Sequence, residues 1–320
     1  MSKLNPTVNQ QFIILSVLLF AITTIVLSLF KGSTSIPIKQ LLFNSHEFQH
    51  ILLDLRLPRT MNAFICGGLL AMSGMLMQLL LENPLADPYA LGVSGGAALV
   101  ILLLMLIGLS PSWWLLGAWS GSLLTMALIS LLARRHRWQP TSLLLIGIAL
   151  ACCFSAAITI ILLLSSASDF RSMIFFLSGD LTETNYPWAS GILLLLGLYI
   201  CHRFSPGMDI LTHGQLEAQA LGLASRQLRR ILFLLSSLFT AAAVIQAGCI
   251  GFIGMLVPHI ARKLLGNHHR ITIPFAMLLG GSLVTLADTL ARSLFSPNEL
   301  PIGVILALIG APIFIALLQK

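Results

Sequence analysis

Apolar residues run along this chain in unbroken blocks rather than in alternation. The blocks cover 12–30, 60–81, 91–109, 115–133, 142–164, 188–201, 231–247, 255–265, 273–290 and 302–318. A helix needs about 20 apolar residues to cross roughly 30 Å of hydrocarbon. The pattern therefore predicts ten membrane-spanning helices, of which the third, sixth and eighth are short. Continuous blocks exclude a transmembrane β-barrel, whose strands alternate apolar and polar positions. The first block follows Lys3, as a signal peptide would, but it exceeds a signal h-region and no A-x-A site precedes Lys31. It reads as a retained span. The fold class is an all-α polytopic membrane protein, with one transmembrane domain over residues 1–320.

Composition narrows the class further. The chain is 57% hydrophobic and 9% charged, with a mean hydropathy of +0.94. A soluble domain carries about 25% charged residues, so a soluble enzyme, a disordered regulator and a secreted disulfide domain are excluded. The net charge of +7 does not call for nucleic acid, because Lys and Arg gather in cytoplasmic loops. With ten spans and both termini inside, Lys3, Arg134, Arg135, Arg137, Arg203, Arg226, Arg229, Arg230, Arg262, Lys263, Arg270 and Lys320 face the cytoplasm. Lys31, Lys39, Arg56, Arg59, Arg171 and Arg292 face outward. Cys66, Cys152, Cys153, Cys201 and Cys249 form no C-x-x-C pair and have no His at ligand spacing, so they read as packing residues. No metal site or cofactor is expected.

Several polar features stand out from the apolar background. Segment 208–227 places Leu216, Ala220 and Leu223 at helical spacing among polar residues. It reads either as a short helix pair lying on lipid headgroups or as a docking surface for a soluble partner. At the head of the second span, Arg56-Leu57-Pro58-Arg59 fixes two arginines three residues apart. These either snorkel or, with Arg292, capture carboxylates, for which guanidinium is well shaped. Asp288 is an intramembrane carboxylate, open to reading as an ion relay or as an i,i+4 partner of Arg292. Met72, Met75 and Met77 lie among Gly67, Gly68, Ser73 and Gly74, and either pack the span or line a path. No G-x-x-x-x-G-K-[ST], H-E-x-x-H or G-x-S-x-G motif occurs. If ATP drives this protein, another chain binds it.

The loop motifs resemble those of the FecCD-type permeases, the membrane subunits of ABC importers for ferric siderophores, haem and cobalamin. The resemblance is carried by Arg56-Leu57-Pro58-Arg59, Glu82-Asn83-Pro84-Leu85-Ala86-Asp87-Pro88, Leu91-Gly92-Val93-Ser94-Gly95-Gly96, Gly251-Phe252-Ile253-Gly254-Met255-Leu256-Val257-Pro258-His259-Ile260-Ala261-Arg262 and Glu299-Leu300-Pro301-Ile302-Gly303. It covers the whole chain, in order. It implies ten helices of the type II importer fold in the bacterial cytoplasmic membrane. It also implies a homodimer or a pairing with a related permease, two cytosolic ATPase subunits and a periplasmic or lipid-anchored substrate-binding protein. By that resemblance Arg56, Arg59 and Arg292 receive acidic residues of the binding protein. Gly214, Gln215, Glu217, Ala218, Leu221 and Gly222 match the helix seated in the ATPase cleft. Thr141 and Ser142 match the cytoplasmic gate, and Phe175-Phe176-Leu177-Ser178-Gly179 resembles an outer helix beside the path. The chain itself would be a transport subunit and not an enzyme. A secondary transporter driven by an ion gradient is the alternative, and Asp288 is its main support.

Overall fold

The second apolar block forms a pillar on which most of the remaining helices lean. The computed structural model describes residues 8–32, 50–89, 92–135, 139–181, 187–294, 296 and 298–318. Lys3, Lys39, Leu91, Arg137 and Lys320 lie outside the described residues. Twelve α-helices and no strand occur among those described: α1 (Val8–Phe30), α2 (Leu57–Leu80), α3 (Val93–Leu106), α4 (Trp114–Arg135), α5 (Pro140–Leu164), α6 (Ala167–Ser178), α7 (Pro187–Leu211), α8 (Gln215–Ala220), α9 (Ser225–Ala247), α10 (Ile253–Leu265), α11 (His269–Ser293) and α12 (Ile302–Leu318). Each of the ten predicted spans corresponds to one of them, and α6 and α8 are additional. Seven helices are long and apolar enough to cross a membrane, and α3 and α12 are shorter apolar helices.

Lipid tails are as apolar as leucine, so helices in a bilayer associate through close packing and interhelical hydrogen bonds. Both devices surround α2. A Cβ on Gly67 would lie 2.2 Å from the Gly280 carbonyl oxygen on α11, and one on Gly74 would lie 1.9 Å from that of Gly254 on α10. The backbones touch there because no side chain intervenes. Toward α9, the Ser73 hydroxyl meets the Ser236 hydroxyl at 2.6 Å and that of Thr240 at 2.7 Å. Met72, Met75 and Met77 are completely buried, so these methionines pack the pillar rather than line an open path.

Three element boundaries depart from the hydrophobic pattern. A π-helical turn, Ile51–Arg56, precedes α2 and winds Arg56 into the helical stack before the apolar block begins. Helix α7 continues ten residues past the predicted 201. Pro206 cannot donate to the His202 carbonyl, but the Ser205 hydroxyl donates to it at 2.8 Å and the helix persists. Helix α3 has only 14 residues, about 21 Å at 1.5 Å per residue. Its Gly96 is pressed against Gly121 and Thr125, well inside α4. The chain from Glu82 to Tyr89 therefore climbs back into the bundle before α3 begins.

Irregular backbone at membrane depth must find protein partners, since no water is there to serve. The climbing segment finds them in the break between α9 and α10. The Asp87 carboxylate accepts from the Tyr89 N–H at 3.0 Å and from the Phe252 N–H, and Pro88 packs against Gly254. Nearby breaks are joined in the same way. The Asp180 N–H donates to the Ala247 carbonyl at 2.9 Å, that of Cys249 to Phe176 at 3.1 Å and that of Ile302 to Gly179 at 3.0 Å. Main-chain bonds thus tie the ends of α6 and α9 to the start of α12.

The glycine contacts make a direct test. Gly74→Val must push α2 and α10 apart and should cost at least about 1–3 kcal/mol, the usual scale of overpacking. Gly251→Ala, whose Cβ would meet nothing within 4 Å, should unfold like the parent. Thermal unfolding of the purified chain in detergent compares them.

Candidate functional site

The polar residues gather at the two ends of the pillar. At one end, α2 begins beside the end of α1 and the end of α11. The three arginines singled out in the sequence all lie here, and they are not loose surface charges. Arg56 is 5% exposed and donates to the Leu29 carbonyl at 2.9 Å. Arg59 donates to Asp288 at 3.0 Å and to Glu299 at 3.0 Å. Arg292 lies 2.9 Å from the other Asp288 oxygen and donates to the Ser28 hydroxyl at 3.0 Å. That hydroxyl is in turn 2.8 Å from Thr60.

Asp288 is completely buried and shares its two oxygens between two guanidinium groups. A buried carboxylate survives only when paired and hydrogen-bonded, and here the pairing is double. The i,i+4 bond to Arg292 is one of the two readings its spacing allowed. The bond to Arg59, 229 positions away in the chain, was not legible from spacing. Within this network three arginines face two acids, Asp288 and Glu299. Arg59 and Glu299 are the partly exposed members, with side chains 14% and 30% exposed. Arg56 and Arg292 stand behind them.

At the opposite end, α2 stops beside the start of α9. Buried Arg229 donates to the Leu80 carbonyl at 3.2 Å and pairs with Glu82, so this cation counted in the charge asymmetry is a structural strut. Arg262 reaches Gln78, and the Gln78 amide donates to the Met255 carbonyl at 3.1 Å. Asp209 near the end of α7 accepts from the His269 backbone N–H at 2.8 Å and meets its ring at 2.7 Å, fixing the start of α11. Thr141 and Ser142 lie in the first turn of α5, just after Pro140. Thr141 is exposed and Ser142 partly so.

Between α7 and α9 the chain makes a single short helix rather than the helix pair that its pattern suggested. Gly214 precedes α8 at φ 104° and Gly222 follows it at φ 76°, backbone conformations in which a side chain is strained. The Leu223 N–H donates to the Ala218 carbonyl at 2.9 Å and that of Gly222 to Gln219 at 2.9 Å, closing the helix end. The buried face also differs from the expected Leu216–Ala220–Leu223 stripe. Ala218 is completely buried, while Leu216 is 84% and Leu221 70% exposed. A six-residue helix between two glycines touches its neighbours along one edge only, and its small residue takes that edge. Glu217 is exposed beside the two leucines.

Comparison with known proteins agrees over most of the chain. Residues 18–320 match the FecCD transport family. The vitamin B12 import system permease BtuC of Klebsiella pneumoniae is 36% identical over 307 residues, covering 94% of this chain and 92% of its own. Its counterpart in an Escherichia coli strain is 39% identical over 272 residues, 83% of each chain. An ABC transporter of metal-chelate type, solved in an inward-facing conformation, superposes with a TM-score of 0.88 at 32% identity over 97% of this chain and 99% of that one.

Sequence reasoning missed Glu299 as the second acid on Arg59, although it stands in a quoted motif. It also missed Asp87 as the clasp between two helix breaks; only its place between prolines hinted at a fixed turn. The double pairing of Asp288 has a measurable consequence. Asp288→Asn leaves the buried Arg292 guanidinium without its acid and Arg59 with Glu299 alone, and should cost about 3–5 kcal/mol, the scale for breaking a buried pair from one side. Adding Arg292→Met to Asp288→Asn should recover part of that loss. Denaturant unfolding in detergent reads both.

Proposed function

The chain belongs to the FecCD transport family and is a permease subunit of an ATP-binding-cassette importer, and from that premise we propose how its two polar ends are used. The end bearing Arg56, Arg59 and Arg292 faces outward and receives acidic residues of a substrate-binding protein. The end bearing α8 faces the cytoplasm and seats in a partner ATPase. Two copies of this chain, or this chain and a related permease, enclose the path, with two ATPase subunits below. Their meeting face includes α5, of whose spanning window only 11% is buried within the chain. Thr141 and Ser142, at the α8 end of α5, gate the cytoplasmic mouth. The cargo is a metal chelate; the vitamin B12 permeases among the relatives put cobalamin ahead of a ferric siderophore or haem.

The observation that carries this reading is the exposure of Leu216 and Leu221 on a short helix bounded by Gly214 and Gly222 and seated on the bundle by buried Ala218. Two large apolar side chains beside an exposed glutamate fit a protein cleft better than water. ATP binding to the partner draws the ATPase pair together, α8 is carried with it, and the permease halves rock about their interface. This is a shift between two packings driven by ATP's unequal affinity for them. The ion-gradient alternative needs a carboxylate able to take up and release its ion. Asp288 is held by two arginines instead.

The outer end suggests how docking proceeds. Arg59 is already paired with Glu299, so an incoming carboxylate competes for the same guanidinium. Docking exchanges one acid for another and does not have to desolvate a bare cation, which keeps its cost low. Charge complementarity then sets encounter rate and register.

Two measurements test the reading. Arg59→Gln should weaken binding-protein docking about tenfold, whereas Glu299→Gln should strengthen it several-fold by freeing the guanidinium. Titration of the binding protein onto the reconstituted permease reads both, and a shared direction of change would overturn the exchange. Leu216→Asp with Leu221→Asp should lower ATPase co-purification and ATP-driven uptake at least tenfold while membrane insertion stays at the parent level. Undiminished coupled uptake would remove α8 as the docking helix.

A further inference from the structure

One groove adjoins the α8 end without being used by the docking just described. It is about 380 Å³ in volume and runs between the last turns of α7 and the first turns of α9, within the range of small-molecule pockets. Arg203, Phe204, Pro206, Leu223, Gln227 and Ile231 are among its walls. No acidic residue lines it. Its apolar walls and its single cation belong to different environments, and its position in the fold accounts for both.

The exposed face of α7 runs Trp188, Ile192, Leu195, Leu196 and Tyr199. These residues recur at helical spacing and are large and apolar, as a face turned to lipid should be. One turn beyond Tyr199, the same stripe carries exposed Arg203. The groove therefore opens where the lipid-facing stripe meets the polar end of the bundle. Pro206 shapes it, since the proline ring removes a backbone donor and the Ser205 hydroxyl covers the carbonyl so released. Cations outnumber acids around it: Glu217 on α8 is the exposed acid of this end, and Glu82 is paired with Arg229. His202 and Arg203 on α7 and Arg226 and Arg230 on α9 lie at this end, while nearby Asp209 is engaged with His269.

We infer that this groove is a binding site for an anionic phospholipid, with the headgroup phosphate on Arg203, the polar end of the groove at Leu223 and Gln227, and the upper acyl chain passing Ile231 toward the α7 stripe at Tyr199. Guanidinium matches phosphate in geometry as well as charge. Basic pockets between spanning helices at the cytoplasmic face recruit such headgroups. A zwitterionic lipid offers the same apolar chain but no net charge. Leu223 directly follows the α8 segment, so the bound lipid touches the element that meets the ATPase.

Native mass spectrometry of the purified full chain, titrated with phosphatidylglycerol or phosphatidylcholine of matched chains, tests the site. Wild type should retain one phosphatidylglycerol in clear preference to phosphatidylcholine. Arg203→Gln should lose about fivefold in that preference, the effect of one cation near an anionic surface, and Arg203→Lys should keep part of it. Ala224→Trp should abolish retention by filling the groove without changing charge. Arg134→Gln removes an exposed cation at the same end, on α4, and should change nothing. Equal retention of the two lipids, an unaltered preference in Arg203→Gln or Ala224→Trp, or an equal loss in Arg134→Gln would overturn the proposal. Loss of the lipid when the ATPase subunit is bound would also overturn it, since the groove would then be part of the protein interface.

Discussion

Direct backbone contact between α2 and its neighbours is the constraint from which the rest of the arrangement follows. In lipid there is no hydrophobic gain from bringing two leucine-rich helices together, so proximity has to come from surfaces that fit. Gly67 against Gly280 and Gly74 against Gly254 allow contact that any side chain would prevent. The serine and threonine hydroxyls toward α9 supply the directional part. Because α2 is fixed along its length, the groups at its two ends are fixed relative to each other. Arg59 at one end and the Glu82–Arg229 strut at the other mark the limits of one rigid member.

That rigidity gives the proposed transport cycle its mechanical form. The breaks after α2 and before α10 would be natural hinges if they were exposed. Here they are held to each other by Asp87, with further main-chain bonds among α6, α9 and α12. Sliding one break past another would bare an N–H or carbonyl in a medium that cannot hydrate it. Relative movement is thus favoured between whole subunits, across the weakly covered faces of α5 and α12, rather than inside the subunit.

The number and order of the long helices were legible because a span is a length-and-composition property, visible without tertiary information. The charged residues were legible as candidates for a different reason. A lone carboxylate or an outward arginine is costly in this setting, so its presence asks for an explanation. Their partners were less accessible. Arg59 and Asp288 are brought together by the packing of α2 on α11, and only the i,i+4 half of the network is written locally. The α8 face was misjudged because helical spacing identifies a stripe without saying which side has a neighbour; Ala218 took the contact and Leu216 did not. The continuation of α7 through Pro206 depended on a serine hydroxyl one residue earlier, a local compensation that a hydropathy reading does not weigh.

The Asp87 clasp also bears on how the protein is made. Asp87 and Phe252 are separated by about half of the chain, and chains are synthesised and ordered from the N-terminus onward. The segment leading into α3 therefore enters the membrane long before the N–H group that completes its pairing has left the ribosome. During that interval its carboxylate depends on Tyr89 and on whatever the insertion machinery provides. Arrival of α10 closes the gap and releases the chain from that dependence. Truncation before Phe252 would leave the Asp87 clasp unclosed inside the bilayer, a polar lesion of the kind that marks a chain for quality-control proteases.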